Sequence, residues 1–303
     1  MIDEQSMKEK FKIKNIFKIL KFRNKFNKEN PDYFYPDGLT VFIGSQGSGK
    51  TLSAVNYVYN LKKKYPKTKI VTDIQLRDYP IITFEEYKEI HNESLLSLKE
   101  KYKDNYEEIM YEIYLKNNEV FEFKDNDDLL KYFNDDRGVI FLIDEIQVFM
   151  NSLQSKNINM DLMAQISQQR KQRIHIIATC QVFGRMAKPL REQFNTVILC
   201  KCILGLIQVN MLINRDSIEG DDSTGTNLKG KVISKYRYVH SPEMYSRYDT
   251  YHVIRRNKEN FASGEQQKEI YSDINNIDIN SLNKKEKKGE KENDKRNLNN
   301  NNK

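Results

Sequence analysis

The octapeptide Gly44, Ser45, Gln46, Gly47, Ser48, Gly49, Lys50 and Thr51 constrains this chain more than any other stretch of its 303 residues. It satisfies the GxxxxGK[ST] spacing of a phosphate-binding loop. An apolar run, Leu39 to Ile43, precedes it. A segment with Ala54, Val55, Val58 and Leu61 on one side follows, from Thr51 to Lys64. Strand, loop and helix in that order commit the chain to an α/β fold with a mainly parallel sheet. The chemistry explains the spacing. The glycines let successive backbone N–H groups turn inward around a phosphate, and the helix beginning at Thr51 presents its positive end to the same anion. Lys50 reaches the β- and γ-phosphate oxygens of ATP, and the Thr51 hydroxyl is placed to ligate Mg²⁺.

Two further segments extend this reading. Val139 to Ile143 is the most apolar strand candidate and ends in Asp144 and Glu145. Read alone, such a pair also fits acids that cap the next helix. Beside a phosphate loop, Asp144 is placed for the Mg²⁺ shell and Glu145 for polarising an attacking water. The interval from 51 to 139 is long enough for an extra strand between the two motif strands. The third segment, Ile174 to Thr179, ends in Cys180 and Gln181. An amide in a loop is the ordinary reading of Gln181. At the carboxyl edge of an open α/β sheet it is also placed to sense a γ-phosphate or orient water.

Organisation follows from composition. With 38% hydrophobic and 31% charged residues, there is apolar material for one core and polar mass left for extensions. The phosphate loop, the acid pair and the alternating elements around them are expected to form a P-loop ATPase core over 36–202, carrying a charged helical insertion at 85–117 with Tyr102, Tyr106, Ile109 and Ile113 on its apolar face. The spacing predicts strands at 69–72, 120–123 and 196–200, with helices at 127–133 and 162–171. Alternation over 206–213 and 231–238 predicts a small antiparallel part, 203–255, of the same domain, with a last strand at 251–254. From 256 the chain reads as a polar tail, disordered by composition at least from 283. No stretch reaches the ~20 apolar residues of a membrane-spanning helix, and no secretory signal pattern opens the chain.

Charge is concentrated at one end. Between Met7 and Lys28 nine Lys/Arg face one acid, Glu9, whereas the whole chain carries +7. At 100° per residue Lys10, Lys14, Lys18, Lys21, Lys25 and Lys28 form one stripe, with Phe11, Ile16, Ile19, Leu20, Phe22 and Phe26 around much of the rest. Residues 1–30 are therefore expected to form a basic amphipathic helix. Such a helix follows a phosphate backbone, lies on an anionic membrane, or packs its apolar face on the body. Cys180, Cys200 and Cys202 lie in apolar segments and fit buried thiols in a reducing cytoplasm better than a disulfide or a zinc site. His175 reads as structural.

The run Arg170, then Ile174-His175-Ile176-Ile177, then Ala178-Thr179 and Gln181 resembles the pattern of FtsK/HerA-type DNA-pumping ATPases, with Cys180 intervening before Gln181. The wider plan resembles the N-terminal domain of zonula occludens toxin-like proteins, which include filamentous-phage assembly ATPases. That plan comprises the loop near residue 45, VTDIQL at 71–76, IDEIQ at 143–147 and a glutamine-ended strand. The likeness covers roughly 36–202. It implies a P-loop NTPase of the additional-strand, catalytic-glutamate type, with ATP and Mg²⁺ as cofactors, a homo-oligomeric ring and DNA as partner. It also implies an arginine given to a neighbour's site. Arg170, Arg173, Arg185 and Arg191 are candidates, and Arg191 is favoured because it follows Pro189-Leu190 just before a strand. The family's usual membrane-spanning segment has no counterpart in this sequence. A DNA motor and a membrane-associated assembly protein switched by ATP are the two functions that fit. The expected location is cytoplasmic, with contact at the inner face of the membrane in the second case.

Overall fold

Short runs of β-branched and aromatic residues, each bounded by turns, form the strands of one sheet. The computed structural model describes residues 13–102, 105–150, 160–218 and 230–249. These fall within one compact unit, Met1–Ile254; a second unit, Arg255–Lys303, lies outside the described residues. The strands are β1 (Leu39–Ile43), β2 (Lys69–Thr72), β3 (Val120–Glu122), β4 (Val139–Ile143), β5 (Ile174–Cys180), β6 (Phe194–Ile203), β7 (Ile207–Ile213) and β8 (Val232–Val239). They pair in the order β3-β2-β4-β5-β1-β6-β7-β8. The first six are mutually parallel, while β7 and β8 add on antiparallel.

The helices are α1 (Ile13–Glu29), α2 (Lys50–Lys64), α3 (Phe84–Ile90), α4 (Asn92–Tyr102), α5 (Tyr106–Asn117), α6 (Asp128–Lys131), α7 (Met160–Gln168), α8 (Lys188–Arg191) and α9 (Pro242–Tyr245). The period-two alternation of the central strands sends their side chains to two separate cores. Leu39, Val41, Phe141, Ile143 and Ile176 pack on one face with Tyr87, Met110 and Tyr114 of the insertion and Leu162 and Ile166 of α7. Phe42, Ile70, Ile140, Leu142 and Ile177 pack on the other with Ala54, Val55 and Val58 of α2. Both faces of the parallel sheet are thus covered, which is why the central strand β4 is apolar throughout.

Several expectations need correction. The strand lying between the two motif strands is β5, which follows β4 in sequence. The interval from 51 to 139 instead supplies β2 and β3, outside β4. Local spacing carries no information on which strands become neighbours. The insertion breaks between α4 and α5, so the predicted apolar face is not continuous. Tyr102 is exposed, and the buried positions of α5 are Met110 and Tyr114. The Tyr114 hydroxyl donates to the Ile82 carbonyl, which fixes this rotation. The helix expected at 127–133 is a single turn, α6, and β6 is ten residues long. The antiparallel part continues the same sheet.

No residue of α1 is buried among those described, although Phe26 meets Tyr33 edge-on at 5.0 Å. The packing of its apolar face on the body is therefore absent from residues 13–29. Arm residues 7–12, most of the polar loop at 216–226, the strand expected at 251–254 and the tail from 256 lie outside the described residues.

Candidate phosphate-binding and catalytic site

Parallel strands carry their loops out at the carboxyl edge, and here β1, β2, β4 and β5 deliver theirs to one place. Gly49 caps α2 with φ 78°, a left-handed conformation that any side chain would strain. A Cβ there would also overlap the buried amide of Gln208 on β7. That amide donates to the Ser48 carbonyl at 3.0 Å and to Asn210 Oδ1 at 2.8 Å. Ser53 of α2 donates to Asn210 Oδ1 at 3.3 Å and meets the Tyr238 hydroxyl at 3.0 Å. The antiparallel strands thus buttress the loop from behind. Sequence reading missed this role of Gln208 and Asn210; two polar residues in an otherwise apolar strand were the available signal.

The loop's crest, Ser45, Gln46 and Gly47, is open to solvent. Lys50 is buried and folds back, its Nζ donating to the Ser45 carbonyl at 3.3 Å. The Ser48 hydroxyl is buried with no hydrogen-bond partner among the described residues. An unspent donor inside an open loop fits a phosphate ligand.

Thr51 donates its hydroxyl to Asp144 Oδ1 at 3.0 Å. The same oxygen accepts the Thr179 hydroxyl at 2.6 Å, and Thr179 Oγ1 in turn accepts the backbone N–H of Glu145 at 2.9 Å. On the other side the backbone N–H of Asp144 donates to Asp73 Oδ1, at the end of β2, at 2.8 Å. The Asp144–Glu145 pair is therefore pinned from both neighbouring strands. Thr179 and Asp73 stood inside motifs legible in the sequence, yet only the register β2-β4-β5 shows what they hold. The hydroxyl and carboxylate of Thr51 and Asp144 are hard oxygen donors beside the loop, the set that suits Mg²⁺ completed by phosphate oxygens and water.

Glu145 lies 3.7 Å from Lys50 Nζ, and its Oε1 accepts Gln181 Nε2 at 3.0 Å. Lys50, Thr51, Asp144, Glu145 and Gln181 are thus brought together. Arg191 is not among them. It ends α8, three residues before β6 begins at the amino-terminal edge of the parallel strands. Arg173 is also away from the site, ion-paired to Asp136 at 2.9 Å and stacked over Tyr33. Arg185 is exposed on the turn that follows β5 at the loop's own edge.

Burial pushes the thiols of Cys180 and Cys200 up to about 12, so both stay protonated near neutral pH. Desolvation at a fully buried position lowers His175 to about 4, which keeps it neutral. Among the described residues no group of three or more His, Cys, Asp or Glu is placed to hold a metal. None of their helices is long and apolar enough to cross a membrane.

Together, the strand order with β5 between β1 and β4, the glycine-lined loop and the acid pair facing it define the fold of the additional-strand P-loop NTPases. No protein-family model and no curated protein matches the sequence. Among solved structures, the chain is similar to the N-terminal domain of zonular occludens toxin from Neisseria meningitidis. That match has 15% identity and a TM-score of 0.41, over 70% of this chain and 98% of that one. It is also similar to the genome packaging NTPase B204 from Sulfolobus turreted icosahedral virus 2, at 15% identity and TM-score 0.35, over 54% and 74%. The flagellar accessory protein FlaH from Methanocaldococcus jannaschii matches at 16% and 0.34, over 63% and 84%.

Proposed function

We propose that this chain is an ATP-hydrolysing motor of the FtsK/HerA or zonula occludens toxin-like type. In this reading it drives DNA translocation, packaging or export for a phage or mobile element. The observation that carries the reading is the cluster at the carboxyl edge, where Thr51, Asp144, Glu145 and Gln181 converge on the loop. In the proposed reaction the loop's backbone N–H groups and Lys50 grip the β- and γ-phosphates. Thr51 and Asp144 would hold Mg²⁺, which would supply charge neutralisation at the phosphate oxygens. Glu145 accepts a proton from water as the water oxygen bonds to the γ-phosphorus. The bond from that phosphorus to the bridging oxygen breaks, and ADP leaves with the electron pair. The proton held by Glu145 then returns to solvent.

Arg191, at the opposite edge from its own loop, is assigned to a neighbouring copy's site in a homo-oligomeric ring, where it would stabilise charge on the γ-phosphate. Steady-state ATP hydrolysis with and without single- and double-stranded DNA, at low and moderate salt, tests the reading. Salt-sensitive stimulation by one DNA form is expected. Glu145→Gln is expected to keep ATP binding and lose about 10²–10⁴-fold in turnover; turnover at the wild-type rate removes Glu145 from its role.

One observation favours the second reading, a membrane-associated assembly protein using ATP as a switch. Ile16, Ile19 and Leu20 of α1, on the side away from the lysine stripe, are each between 46% and 52% exposed. Such a helix suits the inner face of an anionic membrane. If hydrolysis ignores DNA and deletion of residues 1–30 abolishes only liposome binding, the second reading replaces the first.

A further inference from the structure

Glu145 leaves β4 in the left-handed backbone region, φ 51°, an uncommon conformation for a residue with a side chain. Three donors surround its carboxylate, and they differ in how firmly each is anchored. Gln181 Nε2 reaches Oε1 at 3.0 Å from an exposed position just past the end of β5. Lys50 Nζ lies 3.7 Å from the same oxygen and belongs to the helix that begins at the phosphate loop. Gln147 Nε2 donates to the other oxygen, Oε2.

Gln147 rides on the 3-10 turn Ile146–Val148, which is tied down at both ends. The Val148 N–H donates to the Glu145 carbonyl at 2.8 Å and the Met150 N–H to the Ile146 carbonyl at 3.0 Å. Ile146 and Met150 are both buried in the core. The amide oxygen of Gln147 is itself buried and accepts no hydrogen bond among the described residues. Its orientation is therefore set by the Nε2 contact to Glu145.

We infer that Glu145 is held by a two-amide latch. Gln147 is its fixed half and a positioning residue for the carboxylate. Gln181, together with Lys50, is its releasable half. Lys50 and Gln181 are the donors that a γ-phosphate, with three anionic oxygens, competes for. A diphosphate lacks that group and leaves Gln181 on Glu145. The carboxylate is thus occupied without nucleotide or with ADP, and freed on one oxygen only by a triphosphate. Gln147 then keeps it aimed. This rests on the ATPase reading above and adds a regulatory step to the same site.

Double-mutant cycles on the full chain, read by thermal midpoint, test the latch. One cycle uses Glu145→Ala, Gln181→Ala and their combination; a second uses Glu145→Ala, Gln147→Met and their combination. Each is measured without nucleotide, with Mg·ADP and with the non-hydrolysable Mg·AMP-PNP. The Glu145–Gln181 pair is expected to be non-additive by roughly 2–4 °C without nucleotide and with ADP, and additive within about 1 °C with AMP-PNP. The Glu145–Gln147 pair stays non-additive in all three. Gln147→Met is also expected to lower kcat about tenfold with KM within about twofold, the split of a residue that aims the base without holding substrate. If Gln147→Met does not fold, Gln147→Leu carries the same arm.

Equal Glu145–Gln181 coupling with and without AMP-PNP overturns the latch and leaves the ATPase reading standing. Wild-type turnover by Glu145→Gln overturns hydrolysis by Glu145, while the cycles still decide the latch. Failure of AMP-PNP to raise the wild-type midpoint overturns both.

Discussion

Helices α1 and α2 are nearly matched in length and both carry lysines, yet one stands in solvent and the other is locked into the molecule. In α2, Ala54, Val55 and Val58 are fully buried against β1 and its neighbours; in α1 no residue is buried. The difference lies in how each is joined to β1. α2 emerges directly from β1 through a tight loop, so a parallel strand dictates its line across the sheet. α1 is joined to β1 through residues 30–38, in which Phe34 is fully buried, packing edge-on to Tyr65. Amphipathicity therefore says that a helix has a face to cover. It does not say what covers it.

The sharpest way to break the contrast is at the lysines. Lys50→Ala, at the first turn of α2, is expected to abolish ATP hydrolysis, a loss of at least about 10³-fold or roughly 4 kcal/mol of barrier. Lys18→Ala in α1 should leave DNA-free hydrolysis unchanged. Comparable rates for the two variants in a coupled assay would erase the distinction. Next come the apolar faces. Val58→Asp buries a charge with no partner and should cost about 4 kcal/mol in urea unfolding, whereas Leu20→Asp should cost less than about 0.5 kcal/mol. A large cost at Leu20 would mean that α1 has a cover after all.

The smallest of the expected effects concerns pH. His175 packs against Tyr57 of α2, ring centroids 5.8 Å apart, and burial lowers it to about 4. The unfolded chain, with His near its ordinary value of about 6.5, binds the proton more readily, so stability is full above that value. It then declines as pH falls from about 6.5 to about 4, by up to roughly 3 kcal/mol. His175→Phe should flatten that slope in urea midpoints taken between pH 7 and 4.

Much of the site was legible because its chemistry requires fixed spacing along the chain. Gly44 to Thr51 needs consecutive residues to wrap one phosphate, and Asp144-Glu145 must sit at a strand's end. What could not be read is lateral. Asp73, Thr179, Gln208 and Asn210 act across strands, and their meaning depends on the order β2-β4-β5 and on β7 joining the same sheet. Periodicity located most strands to within a residue or two but carried no information on neighbours. It therefore put the intervening strand in the wrong interval. Gln147 stands inside IDEIQ, but its role was missed because a glutamine two residues past an acid pair says nothing until a 3-10 turn folds it back onto Glu145.

The support that β7 gives the loop also sets an order in time. Gln208 is 160 residues downstream of the Ser48 carbonyl it holds, and His240 touches Gln208 from beyond β8 at 3.2 Å. On the ribosome, β1, the loop and α2 emerge first, but the amide that fills the space behind Gly49 arrives last. A nascent chain halted before residue 208 already carries every residue of GSQGSGKT and the acid pair. Its loop still lacks a back wall, so the supported form of the loop is acquired late in synthesis.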